Sequence, residues 1–383
     1  MLSPHLQLPH YFTKTVSKKI EELAASVGIG NLALAIITLF EPVFLYAVLG
    51  LSIPQVLLFF ASVYAWYLVL IPFGAKIVSR YGYAHGVFLS IPFYVLYWAA
   101  LFLSQHNFWL LYLAPLFFAI QKSLFWPAFH ASVSRFSQEG QEAREFSLIY
   151  SLMHFAQIVG PFLGGWLSAR YGFGAMFFVA AVIFFASSAP LFLSKEEFVV
   201  KVYQYRDTWV LFRTLRRQFW GYVGFGEELL LLTIWPIFLF LAVGDFGKLG
   251  GYISATTLVA TLIVVYVGKF TDTHPKHQLL RRATVVYMLV WLSRLFVSAT
   301  GGVLVVDAIS RAMKNIVFIP TTAITYLKAR QTHILPHAVF FEQSLSVGKL
   351  SAALIGAGVF TITGSFPALF ILAALYTLFY LLV

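Results

Sequence analysis

The chain has 383 residues, of which 60% are hydrophobic and only 11% charged, with a formal net charge of +11 and a mean hydropathy of +0.83. A soluble domain carries about 25% charged residues, so this chain cannot cover a water-facing surface and belongs in a bilayer. It has no cysteine, which excludes disulfides and thiolate metal sites.

Residues 1–25 are polar and basic and lack the short apolar core and small-residue cleavage site of a secretory signal. They read as a cytoplasmic N-terminal segment. A spanning helix needs roughly 20 apolar residues. Twelve such segments follow, near 26–49, 55–78, 86–104, 108–131, 146–168, 172–194, 218–243, 249–268, 283–300, 302–325, 338–360 and 364–383. They are apolar on both phases, so barrel strands, which alternate, are excluded. Backbone polar groups in lipid must pair within their own segment, and helices achieve this. The fold class expected is therefore an all-α integral membrane protein with twelve transmembrane helices.

Segment 195–217 is the longest polar interruption after the N-terminus and divides six spans from six. This predicts an N-terminal bundle over 26–194, a basic cytoplasmic linker over 195–217 and a C-terminal bundle over 218–383. The spacing of Arg213, Arg216 and Arg217 suits a helix lying along an anionic leaflet, although a plain charged linker would look the same. With the N-terminus inside, most of the 26 Lys and Arg fall in inner loops, and the outer loops hold only Arg170 and Lys248. That is the positive-inside pattern. Both termini are expected in the cytoplasm, in the cell (inner) membrane, and the basicity implies no nucleic-acid partner.

The stretch GAKIVSRYGYAH, Gly74 to His85, has a looser echo half a chain later, GKFTDTHPKH, Gly268 to His277. Each joins the second and third spans of its half, and duplicated halves are a common transporter design. The pair resembles the loop G-x-L-x-D-R-x-G-R of the major facilitator superfamily of secondary transporters. The first copy keeps Arg80 and Gly82, has Gly74 beside the glycine position, and has Ser79 for the aspartate. The second keeps Gly268 and Asp272 but has Thr273 and Pro275 for the arginine and glycine. AQIVGPFLGG, Ala156 to Gly165, is similar to the family's fifth-helix pattern G-x-x-x-G-P-x-x-G-G, with Ala156 at the first glycine. Gly160, Gly164 and Gly165 permit close helix contact, and Pro161 bends the span. The resemblance implies two pseudo-symmetric six-helix bundles, gating at the two loops and, through the fifth-helix pattern, proton-driven export.

Ionisable groups within a bilayer are costly and mark function by default. The spans hold Glu41, Glu227, Glu228, Asp307 and Glu342 against Lys122, Arg294, Arg311, Lys314 and Lys349. Seven of these (Glu41, Lys122, Glu227, Glu228, Asp307, Arg311 and Lys314) lie in spans 1, 4, 7 and 10, which in the family resembled line the central cavity. They form the candidate substrate or proton site. Glu41 precedes Pro42 at a kink and is either a proton-carrying carboxylate or the partner of Lys122. Glu227 and Glu228 point about 100° apart, so one should face the cavity. Asp307, Arg311 and Lys314 share a helix face, with Asp307–Arg311 a local pair. Glu342 is expected near water, and Lys349 and Arg294 in pairs between helices. His130 and His154 are candidate proton relays, with a local hydrogen bond the plainer role. Trp66, Trp98, Trp109, Trp126 and Trp235 serve interface anchoring or packing, or stack on a ring-bearing solute.

No H-E-x-x-H, phosphate loop or cysteine nucleophile is present, so neither catalytic residues nor a metal site is expected. The function expected is secondary active transport of a small solute by alternating access, proton-coupled and leaning to efflux. The driving force is a proton or ion gradient and not a cofactor, and the chain is expected to act as a monomer within the lipid bilayer. An anionic solute would use Lys122, Arg311 and Lys314. A drug-like cation would use Glu41 and the Glu227–Glu228 pair. Import of an anionic or sugar-like nutrient by proton symport is the alternative, and a non-transporting receptor on the same scaffold is a third possibility.

Overall fold

The computed structural model describes residues 18–136, 142–192, 202–271, 276–297, 300–331 and 333–383, and every regular element among them is helical. Proline explains the first irregularity. Helix α1 (Lys18–Thr38) stops where the Thr38 carbonyl would meet the ring of Pro42. The span resumes as a short helix, Phe40–Val43, and a widened π turn, Phe44–Val48. Helix α2 (Ile53–Tyr81) opens on a capping box, with Ser52 N and Oγ donating to Gln55 Oε1 at 2.8 and 2.9 Å. Then come α3 (Tyr83–Leu103), α4 (Leu110–Phe136) and α5 (Glu142–Ala186).

Two glycines make the sharp breaks of this half. Gly82, at φ 105°, is the whole connection between α2 and α3, and Gly172, at φ 81°, divides α5 into two spans. Left-handed φ values of this kind are open to glycine at little cost. The linker forms two short helices, α6 (Tyr205–Thr214) and α7 (Arg216–Val223). The second half comprises α8 (Gly226–Val243), α9 (Phe246–Thr271), α10 (Lys276–Ser293), α11 (Thr300–Gln331), α12 (Ile334–Thr363) and α13 (Phe366–Leu378).

Eight helices among the described residues are long and apolar enough to cross a membrane. The count of twelve is thus not carried by length and apolarity alone. Segment 146–168 and the first part of 172–194 lie in one helix, Glu142–Ala186, kinked at Gly172, α11 carries Asp307, Arg311 and Lys314, α10 carries Lys276, Arg281 and Arg282, and α13 is short.

The loop expected from Gly74 to His85 also takes a different form. Gly74 lies inside α2, where a Cβ would collide with the backbone carbonyl of Ser123 on α4. It is a helix-crossing glycine, and Gly82 alone turns the chain. Arg80 is exposed, with its guanidinium 5.8 Å from the Tyr81 ring. Gly268 lies within α9, and Asp272 lies outside the described residues.

The two halves meet along two seams, α2 against α12 and α5 against α9. In the second seam the helices nearly touch backbone to backbone. A Cβ on Gly165 would stand 2.7 Å from Phe246 O, and one on Gly250 would collide with Pro161 O. Gly160 and Gly164 face the other way, onto Ala35 and Ile36 of α1. Beyond this crossing, at the end away from the linker, Phe173 packs edge-on to Phe246, with centroids 5.0 Å apart, and against Phe44. At the linker end, Gln343 Nε2 on α12 donates to Leu68 O on α2 at 3.2 Å. The halves are therefore joined at both ends.

Replacing Gly250 by alanine should cost about 1–3 kcal/mol, the usual penalty of overpacking. Gly251 has open space where its Cβ would go, so Gly251→Ala should leave thermal unfolding in detergent unchanged.

Candidate functional site: a charged layer across the seam

Helix α8 begins with Gly226, Glu227 and Glu228, which places both acids at the positive end of the helix dipole. Their directions differ as adjacent helical positions must. Glu227 is fully buried, and its carboxylate accepts hydrogen bonds from Tyr287 Oη, from Tyr380 Oη at 3.1 Å and from Lys314 Nζ at 2.9 Å. Glu228 keeps 24% of its side chain exposed and sits between two ammonium groups, Lys314 and Lys349, at 3.6 Å from each. Lys314 also donates to Tyr380 Oη at 3.1 Å. The second half thus neutralises its own central charges, and Lys349 belongs to this cluster.

On the same α11, Arg311 Nε donates to Asp307 Oδ2 at 2.7 Å, one helical turn away. Asp307 accepts further bonds from Trp235 Nε1 at 2.7 Å and Thr256 Oγ1 at 2.5 Å. With three donors and no exposed side-chain surface, Asp307 is held as a structural anion. Arg294 has no carboxylate within ion-pair distance among the described residues. Its guanidinium carbon lies 3.9 Å from the Trp235 ring and 3.6 Å from the Trp291 ring, and Nη2 donates to Ser310 Oγ at 2.6 Å. Cation–π contact substitutes for the pairing expected there, and when desolvated it is worth about 2 kcal/mol.

The first half is arranged differently. Lys122 on α4 points its ammonium at four aromatic rings: Phe118 at 4.8 Å, Tyr64 at 5.5 Å, and Tyr67 and Trp126 both at 5.7 Å. Among the described residues no carboxylate lies within ion-pair distance of it. Glu41, weighed as its partner, makes no ion pair with it; it is buried and accepts a 3.2 Å bond from Trp98 Nε1. Tyr64 also faces Lys349, 5.4 Å away, so one tyrosine on α2 lies beside a lysine from each half.

Glu342 does not reach water as expected. It is buried and accepts from Tyr67 Oη at 3.0 Å, while His130 Nε2 lies 2.8 Å from its other oxygen. His130 Nδ1 lies 2.8 Å from Tyr326 Oη. Residues of α2, α4, α11 and α12 therefore meet in one polar clasp between the halves. His154 is buried on α5. Trp66 and Trp109 are exposed, as lipid or interface anchors are, whereas Trp98, Trp126 and Trp235 serve the charged groups.

The structure thus groups Glu227, Glu228 and Lys314 with Lys349, sets Asp307 with Arg311, and leaves Lys122 and Glu41 each without an ionic partner among the described residues. The residues sequence reasoning missed are Tyr64, Tyr67 and the His130–Glu342 pair. A signal existed: Tyr64 and Tyr67 are three apart and Glu342 and Lys349 seven apart, so each pair shares a helix face. Arg311→Met should destabilise the protein by about 3–5 kcal/mol, because it strands the buried Asp307 charge. Adding Asp307→Asn should recover part of that loss in thermal unfolding.

Comparison with known proteins follows from this architecture. The sequence profile described as Major Facilitator Superfamily matches residues 23–334. No curated protein matches the chain by sequence. Among solved structures, the fucose:proton symporter FucP of E. coli shares 15% identity over 94% of this chain and 96% of its own, with a TM-score of 0.67. The POT family transporter PepTSo shares 13% over 96% and 98%, with a TM-score of 0.70. A bacterial homologue of the human drug peptide transporters PepT1 and PepT2 shares 11% over 96% and 95%, with a TM-score of 0.68. At such identities the likeness to these structures is one of fold, while the profile covers most of the chain: the protein is an integral membrane protein that belongs to the Major Facilitator Superfamily of transporters.

Proposed function

We propose that the protein is a proton-coupled secondary transporter of a small anionic or zwitterionic solute. In this reading twelve spans form two six-helix halves over 26–194 and 218–383. Both termini lie in the cytoplasm, and the chain works as a monomer in the cell membrane. The observation that carries the solute class is Lys122. An uncompensated charge within a bilayer costs about 2.5–3.5 kcal/mol even on the lenient insertion scale. Aromatic rings offset part of this for Lys122, and a solute carboxylate or phosphate would supply the missing counter-charge.

An anion seated between Lys122 and Lys349 would touch both halves, as alternating access requires of a central site. It would compete with Glu228 for Lys349. A proton on Glu228 removes that competition, so solute and proton would favour each other's binding. Linkage of this kind couples their movement. Glu41, buried and in no ion pair among the described residues, is a second proton carrier. The fold shared with a fucose:proton symporter is compatible with this reading. Proton-driven export is the second reading, supported by the glycine–proline pattern of α5 and its tight packing on α1 and α9.

Flux into proteoliposomes under an imposed pH gradient tests the proposal with a panel of small carboxylates and phosphorylated solutes. An anion should accumulate on the side toward which protons flow. Lys122→Ala should lower that accumulation about tenfold or more, equivalent to at least ~1.4 kcal/mol of lost binding. Glu228→Gln should uncouple flux from the gradient. If a cationic solute moves against the proton flow, survives Lys122→Ala and is abolished by Glu41→Gln, export replaces symport and the anionic site is wrong.

A further inference from the structure

The linker helices take no part in the charged layer, yet they are fastened to both halves. Tyr203 N donates to Ser79 Oγ on α2 at 3.2 Å, and Thr208 Oγ1 donates to Pro336 O on α12 at 3.2 Å. Tyr203 Oη and Thr208 Oγ1 are themselves joined at 2.8 Å. This inner face also buries Leu211 and Gln218. The outer face is of another kind. Arg206, Trp209, Arg213, Arg216, Arg217 and Trp220 are all exposed; spacings of three and four put Arg206, Trp209 and Arg213 on one side of α6, and Arg216 and Arg217 beside Trp220 on α7, with Leu215 breaking the helix between them. Trp209 and Trp220 are 49% and 50% exposed, and Arg213 lies against the Trp209 ring at 5.5 Å. The sole acid of these helices, Asp207, lies off this face and is half-buried.

Depth follows from chain continuity. Arg216 begins the apolar span Arg216–Val243, so Arg216, Arg217 and Trp220 stand where that span leaves the hydrocarbon. Tryptophan and arginine are both favoured at that level, the ring at the polar boundary and the guanidinium beside anionic headgroups. Near the end of α11, burial and the neighbouring Arg217 charge hold the Lys328 ammonium below the ordinary lysine range. The Arg217 end of this face is therefore a region of like positive charge. A water-soluble acidic partner would need this face to stand clear of the bilayer, and its continuity with a membrane span opposes that.

We propose that the outer face of α6 and α7 is a binding site for anionic lipid headgroups of the surrounding leaflet. A phosphate is held by the arginines while the tryptophans sink beside the acyl–headgroup boundary. Because Tyr203, bonded to Thr208 of α6, ties this linker to α2 in one half while Thr208 ties it to α12 in the other, lipid on this face also steadies the linker end.

The full chain, reconstituted in phosphatidylcholine nanodiscs containing phosphatidylglycerol, tests this without any transported solute. After mild detergent extraction, the retained phosphatidylglycerol is counted by native mass spectrometry. The combined variant Arg213→Gln, Arg216→Gln, Arg217→Gln should lose retained lipid several-fold, and the matching lysine variant should keep most of it. Arg281→Gln with Arg282→Gln, at exposed positions on α10, should behave as wild type. Equal retention in all variants, or an equal loss in the α10 control, overturns the proposal. Should the triple variant fail to fold, quenching by brominated phosphatidylglycerol decides instead. Trp209→Phe with Trp220→Phe should remove a quenched component that brominated phosphatidylcholine barely reaches, and an unchanged quenching profile overturns the site.

Discussion

An ammonium group kept out of water has to find a carboxylate, a set of aromatic rings or an incoming anion, and the seam between the two halves is organised by how each lysine meets that demand. Lys314 is bonded to Glu227, lies close to Glu228 and is capped by Tyr380. Lys349 has Glu228 and the Tyr64 ring. Lys122 has rings only. The second half is close to electrically complete, whereas in the first the ammonium of Lys122 and the carboxylate of Glu41 make no ion pair among the described residues, and the two halves are brought face to face by α2 and α12. This asymmetry between otherwise parallel bundles is what makes the layer a candidate binding site and not only a buried ion network.

Under the proposed transport cycle the halves would have to separate again, and the way they meet is compatible with that. Lipid supplies no hydrophobic drive between helices, so association rests on close packing and polar contacts. At one end the backbones of α5 and α9 approach through Gly165 and Gly250, backed by Phe173 on Phe246. At the other, Glu342 collects Tyr67 and His130, and Gln343 reaches Leu68. The first contact depends on shape and the second on hydrogen bonds. The linker adds a third tie at the polar end, through Ser79 and Pro336.

Several glycines of the sequence motifs lie at close helix crossings. Gly74 separates α2 from α4 by no more than a hydrogen atom, and Gly160 and Gly164 do the same between α5 and α1. The glycine–proline pattern of α5 is therefore used on both faces of one helix: Gly160 and Gly164 within the half, Pro161 and Gly165 toward the other half. Its partner residue, Gly250, sits in a GG pair whose two members differ completely in surroundings, since Gly251 has open space beside it. No pattern local to that pair distinguishes them.

Composition alone settled the solvent, because 11% charged residues cannot clothe a soluble surface. Hydropathy and the paired loops gave the helical class, and the motifs gave the family resemblance. Helical spacing was enough to put Asp307 beside Arg311 and to send Glu227 and Glu228 in different directions, since both follow from 3.6 residues per turn. The partner of each remaining charge was decided only by tertiary structure. Glu342 and His130 are 212 positions apart in sequence, and Tyr67 and Glu342 are 275 apart. No periodicity within one helix can encode which face of another it will meet. Lys122 and Glu41 looked like natural partners on adjoining cavity helices, yet packing gave one a cage of rings and the other an indole N–H. Local spacing fixes where a side chain points on its own helix; the crossing of two helices, set by glycines and ring shapes far along the chain, fixes what it finds there.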